Sequence, residues 1–175
     1  MVKKYFGTDG VRGIANTYPM TSDIALKIGM AAGLFLSNGS HKKRVVIAKD
    51  TRLSGYMLES AMTSGFTSVG MDVFLLGPMP TPAVSLLTKS LRADLGVMIS
   101  ASHNTYEYNG IKIFGNDGYK LTDAEEIDIE NIIQNLDNLN IDRQKIGKAK
   151  RLEDAQARYI EYIKGTIDRK ISFEG

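Results

Sequence analysis

The 175 residues contain no cysteine. That excludes disulfides, thiolate nucleophiles and cysteine-held zinc together. Long apolar runs are also missing: nothing approaches the roughly 20 apolar residues of a membrane-spanning helix. The opening Met1-Val2-Lys3-Lys4-Tyr5-Phe6-Gly7 has two lysines with no apolar stretch behind them, so no secretory leader is read there. A cytoplasmic protein with no membrane role is the expectation. Neither sign of charge dominates. The 22 Lys and Arg against 20 Asp and Glu leave a formal net charge of +2. That is too little for the concentrated basic face of a nucleic-acid binder, and it suits a small anionic substrate equally well. The sequence lacks G-x-G-x-x-G, a P-loop, EF-hand spacing and a G-x-S-x-G elbow. It lacks an acidic cluster with metal spacing too. Asn116-Asp117-Gly118 comes nearest and reads as a turn. A reaction needing Mg²⁺ would find one or two ligands here at most.

What is present is strands alternating with helices. Val45-Val46-Ile47-Ala48, Val73-Phe74-Leu75-Leu76 and Gly96-Val97-Met98-Ile99 are short apolar runs without alternation, as fully buried parallel strands are. A helix is expected over 22–38, capped at Thr21-Ser22-Asp23 and stopped by Gly39. The next carries Leu58, Ala61, Met62, Gly65 and Phe66 on one face and ends near Gly70. A third opens at Thr81-Pro82, since proline is tolerated in a first turn. No helix separates the third strand from Ile111-Lys112-Ile113-Phe114, so that fourth strand should run antiparallel. The expected fold is a three-layer α/β/α arrangement around a mixed, mainly parallel four-stranded sheet. Thr122-Asp123-Ala124-Glu125 is a capping box opening a helix with Ile129, Ile132, Ile133 and Leu136 on one face. Residues 137–151 turn polar and then basic. They read as a surface connection with Arg143, Lys145, Lys148, Lys150 and Arg151 solvated, in preference to a nucleic-acid or phosphate site. A last helix, 155–167, carries Tyr159, Ile160, Ile163 and Ile167 and needs something to pack on. The expected organisation is one domain over 1–150, then a connecting helix and the start of a second domain over 151–175.

Two loops are candidates for chemistry. Gly7-Thr8-Asp9-Gly10-Val11-Arg12-Gly13 has three glycines in seven residues, which lets backbone approach a ligand closely. Its Arg12 offers a planar fork that fits phosphate oxygens. It also reads as a Gly-rich turn with a structural Asp9–Arg12 pair. Ser100-Ala101-Ser102-His103-Asn104 follows a buried parallel strand, and ligand sites of open α/β sheets gather at the carboxyl ends of strands. A hydroxyl beside one of only two histidines can serve as a nucleophile or simply shape a turn. The other histidine, His41, sits in a polar turn and reads as solvated. Lys112 lies ten residues after Ser102, while Asp50 and Arg52 follow the first parallel strand. Cations around one serine suit a phosphate better than a carbonyl. Each also has a plain reading: Lys112 as an exposed strand residue, Arg52 as the partner of Asp50.

Phe6-Gly7-Thr8-Asp9-Gly10-Val11-Arg12-Gly13, Lys49-Asp50-Thr51-Arg52, Pro80-Thr81-Pro82 and Ile99-Ser100-Ala101-Ser102-His103-Asn104, followed by Asn109-Gly110-Ile111-Lys112, together resemble the α-D-phosphohexomutase family in order and spacing. The resemblance runs from residue 5 to about residue 125. It implies that Ser102 is a phosphoserine. Its phosphoryl group would pass to a hexose monophosphate, and the resulting hexose 1,6-bisphosphate, intermediate or activator, would return the other one. Mg²⁺ would sit on the phosphoserine, Arg12 and His103 would contact phosphate, and Lys112 would stabilise charge or shuttle a proton. Ser100 is the less favoured acceptor, because the family's phosphoserine directly precedes the His-Asn pair. The loop over residues 7–13 favours glucosamine phosphates, with mannose or glucose phosphates as the rival substrates.

Two departures from the family are visible. Thr105 stands where the family usually has proline, which removes a constraint from that turn. Family members also have four domains, so the other metal aspartates, the sugar-reading loop and the distal phosphate loop belong to the later three. The expected partners are a small phosphosugar, the remaining domains and, with the oligomeric state open, a second copy of the chain. Nucleic acid and membrane are not expected. A silent domain that only binds phosphosugar or a partner is the rival of a different class.

Overall fold

The computed structural model describes residues 3–36, 41–142, 144–168 and 171. The elements run β1 (Val11–Ile14), α1 (Ser22–Phe35), β2 (Arg44–Lys49), α2 (Ser54–Ser68), β3 (Asp72–Pro78), α3 (Thr81–Ser90), β4 (Leu95–Ile99), β5 (Tyr108–Gly115), α4 (Asp123–Asn135), β6 (Ala149–Arg151) and α5 (Ala155–Gly165). The sheet order is β1-β5-β4-β2-β3-β6. β2 pairs parallel with β3 and β4, and β3 parallel with β6. β5 alone runs the other way, antiparallel to both β4 and β1.

The sheet is mixed and mainly parallel as expected, but among the described residues it has six strands rather than four. β1 lies inside the glycine-rich stretch, where Gly10, Arg12 and Gly13 hide any strand periodicity. β6 lies in the stretch expected to be only a surface connection. Its three residues are exposed, so no burial pattern marks them, and β3 recruits them through backbone pairing with Lys150 lying over the Phe74 ring. The expected end of the first helix at Gly39, and the solvated Arg143, fall outside the described residues.

Alternate residues of each central strand feed two cores. Val45, Ile47, Val97, Ile99, Ile111 and Ile113 face α1, α2 and α4. Val46, Ala48, Leu76, Met98 and Phe114 face α3 and the start of α5. The runs look continuous in sequence because both faces of the strand are covered. Helix α4 opens on the expected capping box, with the Thr122 hydroxyl accepting from the Glu125 N–H and the Glu125 carboxylate accepting from the Thr122 N–H. Pro82 sits in the first turn of α3. Helix α5 buries Ala155 and packs Tyr159 partly on the second core, leaving Ile160 and Tyr162 more than half exposed.

Helices α1 and α2 meet backbone to backbone at Gly29 and Gly65. A Cβ on Gly65 would fall 2.3 Å from the Leu26 carbonyl oxygen and 2.9 Å from the Met30 nitrogen. Only a displacement of one helix against the other relieves that. Gly65→Ala is therefore expected to cost about 3 kcal/mol, read as a melting-temperature drop of roughly 6–12 °C. An unchanged melting temperature would mean that the helices do not approach this closely.

Candidate active site

The N-terminal segment is fixed first. Glu130, on α4 and 3% exposed, accepts the backbone N–H groups of Lys4, Tyr5 and Phe6 at 2.7, 2.7 and 2.8 Å. Glu126, equally buried, pairs with Lys3 and Lys120. This anchors the chain where it enters the Gly7 turn. Gly7 and Gly10 close that turn by a backbone bridge. Gly10 has φ +82°, and a Cβ there would lie 2.2 Å from the Ile111 carbonyl oxygen, so both conformation and space demand glycine.

β1 then carries Arg12 opposite Gly110 of β5. Lys112 sits one pleat further along β5, opposite Met98. The Asp9 carboxylate joins them, taking Lys112 Nζ at 2.9 Å and the Arg12 guanidinium through the same oxygen. Arg12 Nε is buried and has no hydrogen-bond partner. The Asp9–Arg12 pair of the plainer sequence reading is present, and Asp9 holds two cations, Arg12 and Lys112, side by side. Burial pulls the Asp9 carboxyl upward, but its hydrogen bond from Lys112 and the charges of Lys112 and Arg12 outweigh this and hold it below 3.8. A depressed folded pKa means that the stabilisation is present above the unfolded value and lost as pH falls through the folded one. NMR titration is expected to place the Asp9 midpoint below 3.8 and to move it up in Lys112→Ala. A midpoint at or above 3.8 in the unmodified chain would contradict the cluster.

Ser102 stands past the carboxyl end of β4, exposed, with φ +58°. Among the described residues two other non-glycine residues have positive φ. Asn16 belongs to a type that adopts it readily, and Arg92 follows the end of α3, where chains commonly leave a helix this way. Ser102 has neither excuse, and such strain concentrates at functional sites. The Ser102 N–H donates to Ser100 Oγ at 3.0 Å, and Ser100 Oγ donates to Asp50 Oδ2 at 2.7 Å. Ser102 Oγ and His103 Nδ1 are 3.4 Å apart, at the outer limit of a hydrogen bond. A cleft of about 750 Å³ opens beside Ser102, lined among others by Ile14, Asp50, Arg52, Leu53 and Tyr106.

The structure therefore forms two groups from the expected residues. Arg12 and Lys112 are joined through Asp9, while Ser102 and His103 stand with Asp50, Ser100 and Arg52. The groups connect through the sheet: Arg12 is opposite Gly110, whose carbonyl accepts the Ser100 N–H. Arg12, His103 and Lys112 do not line the cleft. His41, read as solvated, is exposed and bonded to Asp94 at 2.7 Å. The Asp50–Ser100 bond and the carboxylates of Glu126 and Glu130 escaped sequence reasoning. No spacing rule marks them, although Asp50-Thr51-Arg52 directly after a strand is a usable signal. Among the described residues no three His, Cys, Asp or Glu side chains gather as a metal site. Asp50 is occupied by Arg52 and Ser100. Ser102, the expected Mg²⁺ position, therefore has no carboxylate cluster around it among the described residues, and its oxygens do not make a metal cage by themselves.

Residues 3–140 match the family model described as phosphoglucomutase/phosphomannomutase, alpha/beta/alpha domain I. A phosphoglucosamine mutase of Parvibaculum lavamentivorans is 63% identical over 177 residues, covering 100% of this chain. One from Paramagnetospirillum magneticum is 61% identical over 176 residues. The chain spans 39% of the length of each of these curated relatives. A putative phosphomannomutase from Thermus thermophilus superposes with TM-score 0.79 at 30% identity, over 94% of this chain and 36% of that one. A phosphoglucomutase/phosphomannomutase family protein from Burkholderia thailandensis does so with TM-score 0.77 at 27% identity, over 92% of this chain and 35% of that one.

Proposed function

The chain belongs to the phosphoglucomutase/phosphomannomutase family, whose domain I it contains, and from that premise we propose that it is the phosphoserine domain of a mutase interconverting glucosamine 6-phosphate and glucosamine 1-phosphate. The observation that carries the reading is Ser102 itself: exposed, in a strained backbone conformation, at the mouth of a cleft. In the proposed cycle the bond between phosphorus and Ser102 Oγ breaks as a bond to the free sugar hydroxyl forms. The hydroxyl proton passes to a neighbouring base or to solvent. The bisphosphate then returns its other phosphoryl group to Ser102 Oγ.

Phosphoryl transfer depends on positioning and on neutralising spread charge. Arg12, His103 and Lys112 are assigned to that task, with Lys112 also the proton shuttle. Asp9 keeps Arg12 and Lys112 together until a more strongly charged phosphate competes for them. Magnesium on the phosphoserine supplies further charge neutralisation when bound. Its remaining ligands, and the residues that read the sugar, are assigned to chain beyond these 175 residues. The domain is taken to end near Arg151, where β6 ends, with α5 leading out of it.

Relatives named phosphoglucosamine mutase, 57–63% identical across the chain, support glucosamine as the sugar. The complete gene product, assayed with Mg²⁺ on glucosamine 6-phosphate and mannose 6-phosphate side by side, is expected to prefer the first by tenfold or more, about 1.4 kcal/mol of discrimination. Preference for mannose phosphate would keep the chemistry and change the substrate. No turnover on either would refute the proposal.

A further inference from the structure

Arg52 commits its whole donor set to one loop. Nε donates to Asp50 Oδ2 at 2.9 Å. Nη2 donates to the carbonyl oxygens of Ser102 and Asn104, both at 3.0 Å. Nη1 donates to those of Thr105 at 3.1 Å and Tyr108 at 3.4 Å. A guanidinium has five N–H donors, and all five have acceptors here. The side chain is 11% exposed, so Arg52 lines the cleft with no donor left for a phosphate. From the opposite side Ser100, bonded to Asp50, takes the Ser102 N–H. Ser102 is therefore gripped at its N–H and at its carbonyl by two groups that share one carboxylate, and between those grips its φ is +58°.

We infer that Arg52 is the positioning residue for Ser102: anchored on Asp50, it enforces the left-handed backbone that keeps the Ser102 hydroxyl presented at the cleft mouth. The inference rests on Ser102 being the phosphoryl carrier. Arg52 touches no reacting atom and acts through the loop. Lysine cannot substitute, because an ammonium has three donors at one point and no planar fork to span Asp50 and four carbonyls. The grip also answers the loss of proline at Thr105, since the Thr105 carbonyl is held by Arg52 and by the Tyr108 N–H.

Two measurements separate positioning from plain stabilisation. In the first, Ser102→Gly is made with and without Arg52→Lys, and melting is followed. Glycine adopts positive φ without strain, so Ser102→Gly is expected to raise the melting temperature by about 2–4 °C in the wild-type background. That gain should vanish beside Arg52→Lys, and an equal gain in both backgrounds overturns the inference. Should Arg52→Lys not fold, Ser100→Ala removes the other grip and serves in the same cycle, where an undiminished gain again overturns it. In the second, Arg52→Lys in the complete gene product is expected to lower kcat about 100-fold with KM within about threefold. An unchanged kcat there, while Ser102→Ala is inactive, rejects Arg52 alone. Activity surviving Ser102→Ala removes the carrier and the inference with it.

Discussion

Ser102→Ala in the complete gene product is expected to reduce mutase turnover by about 10⁴-fold or more, to the assay background. The size of the loss follows from the lack of a substitute. Ser100 is 6% exposed, and its hydroxyl is engaged between Asp50 and the Ser102 N–H. Moving it to the cleft would break both bonds. His103 is adjacent, but a ring at 3.4 Å from Ser102 Oγ contacts that hydroxyl without replacing it. Alanine at φ +58° carries a backbone strain similar to that of serine, so the fold is expected to survive and the comparison to report chemistry. Substantial residual turnover with normal folding would assign the phosphoryl group to another residue.

Glu130→Ala is expected to have the largest effect on stability. It strands the N–H groups of Lys4, Tyr5 and Phe6, two of whose hydrogen bonds are 2.7 Å long, around a buried carboxylate, with Phe6 itself buried. Hydrogen bonds to a carboxylate contribute more than neutral ones, and the buried Phe6 N–H left behind carries its full desolvation cost. A loss of about 3–5 kcal/mol follows, or a melting-temperature drop of roughly 6–20 °C. The damage should also reach the site, because the anchored segment leads directly into the Gly7 turn and Arg12. Glu130→Gln keeps one acceptor and should fall between the two. Denaturant melts of the three proteins measure this, and equal midpoints would show that the N-terminal segment is held by something else.

The central strands and their helices were legible because burial on both faces leaves a plain mark. Val45-Val46-Ile47-Ala48 and Gly96-Val97-Met98-Ile99 are apolar throughout, and the structure divides them between two cores. Thr122 and Glu125 were legible because a capping box depends on spacing within one turn. The edge strands were not. β1 is written in residues chosen for the turn and for Arg12, and β6 is exposed and basic, so neither carries burial periodicity. The candidate site divides the same way. Ser102 is visible as a chemical type just past a strand end, and Arg12 and Lys112 as cations within strands. The grip of Arg52 on four carbonyls is invisible, because carbonyls have no sequence identity and their direction is set only when the loop is folded. The left-handed conformation of Ser102 is hidden for a related reason: serine gives no sign of it, as glycine would.

The most direct measurement is to incubate the complete gene product with hexose 1,6-bisphosphate, digest it and locate the phosphoryl group by peptide mass spectrometry. The account predicts a single phosphorylated site at Ser102, lost when hexose monophosphate is added in excess. A phosphoryl group on another residue, or full turnover with Ser102 never phosphorylated, would contradict it.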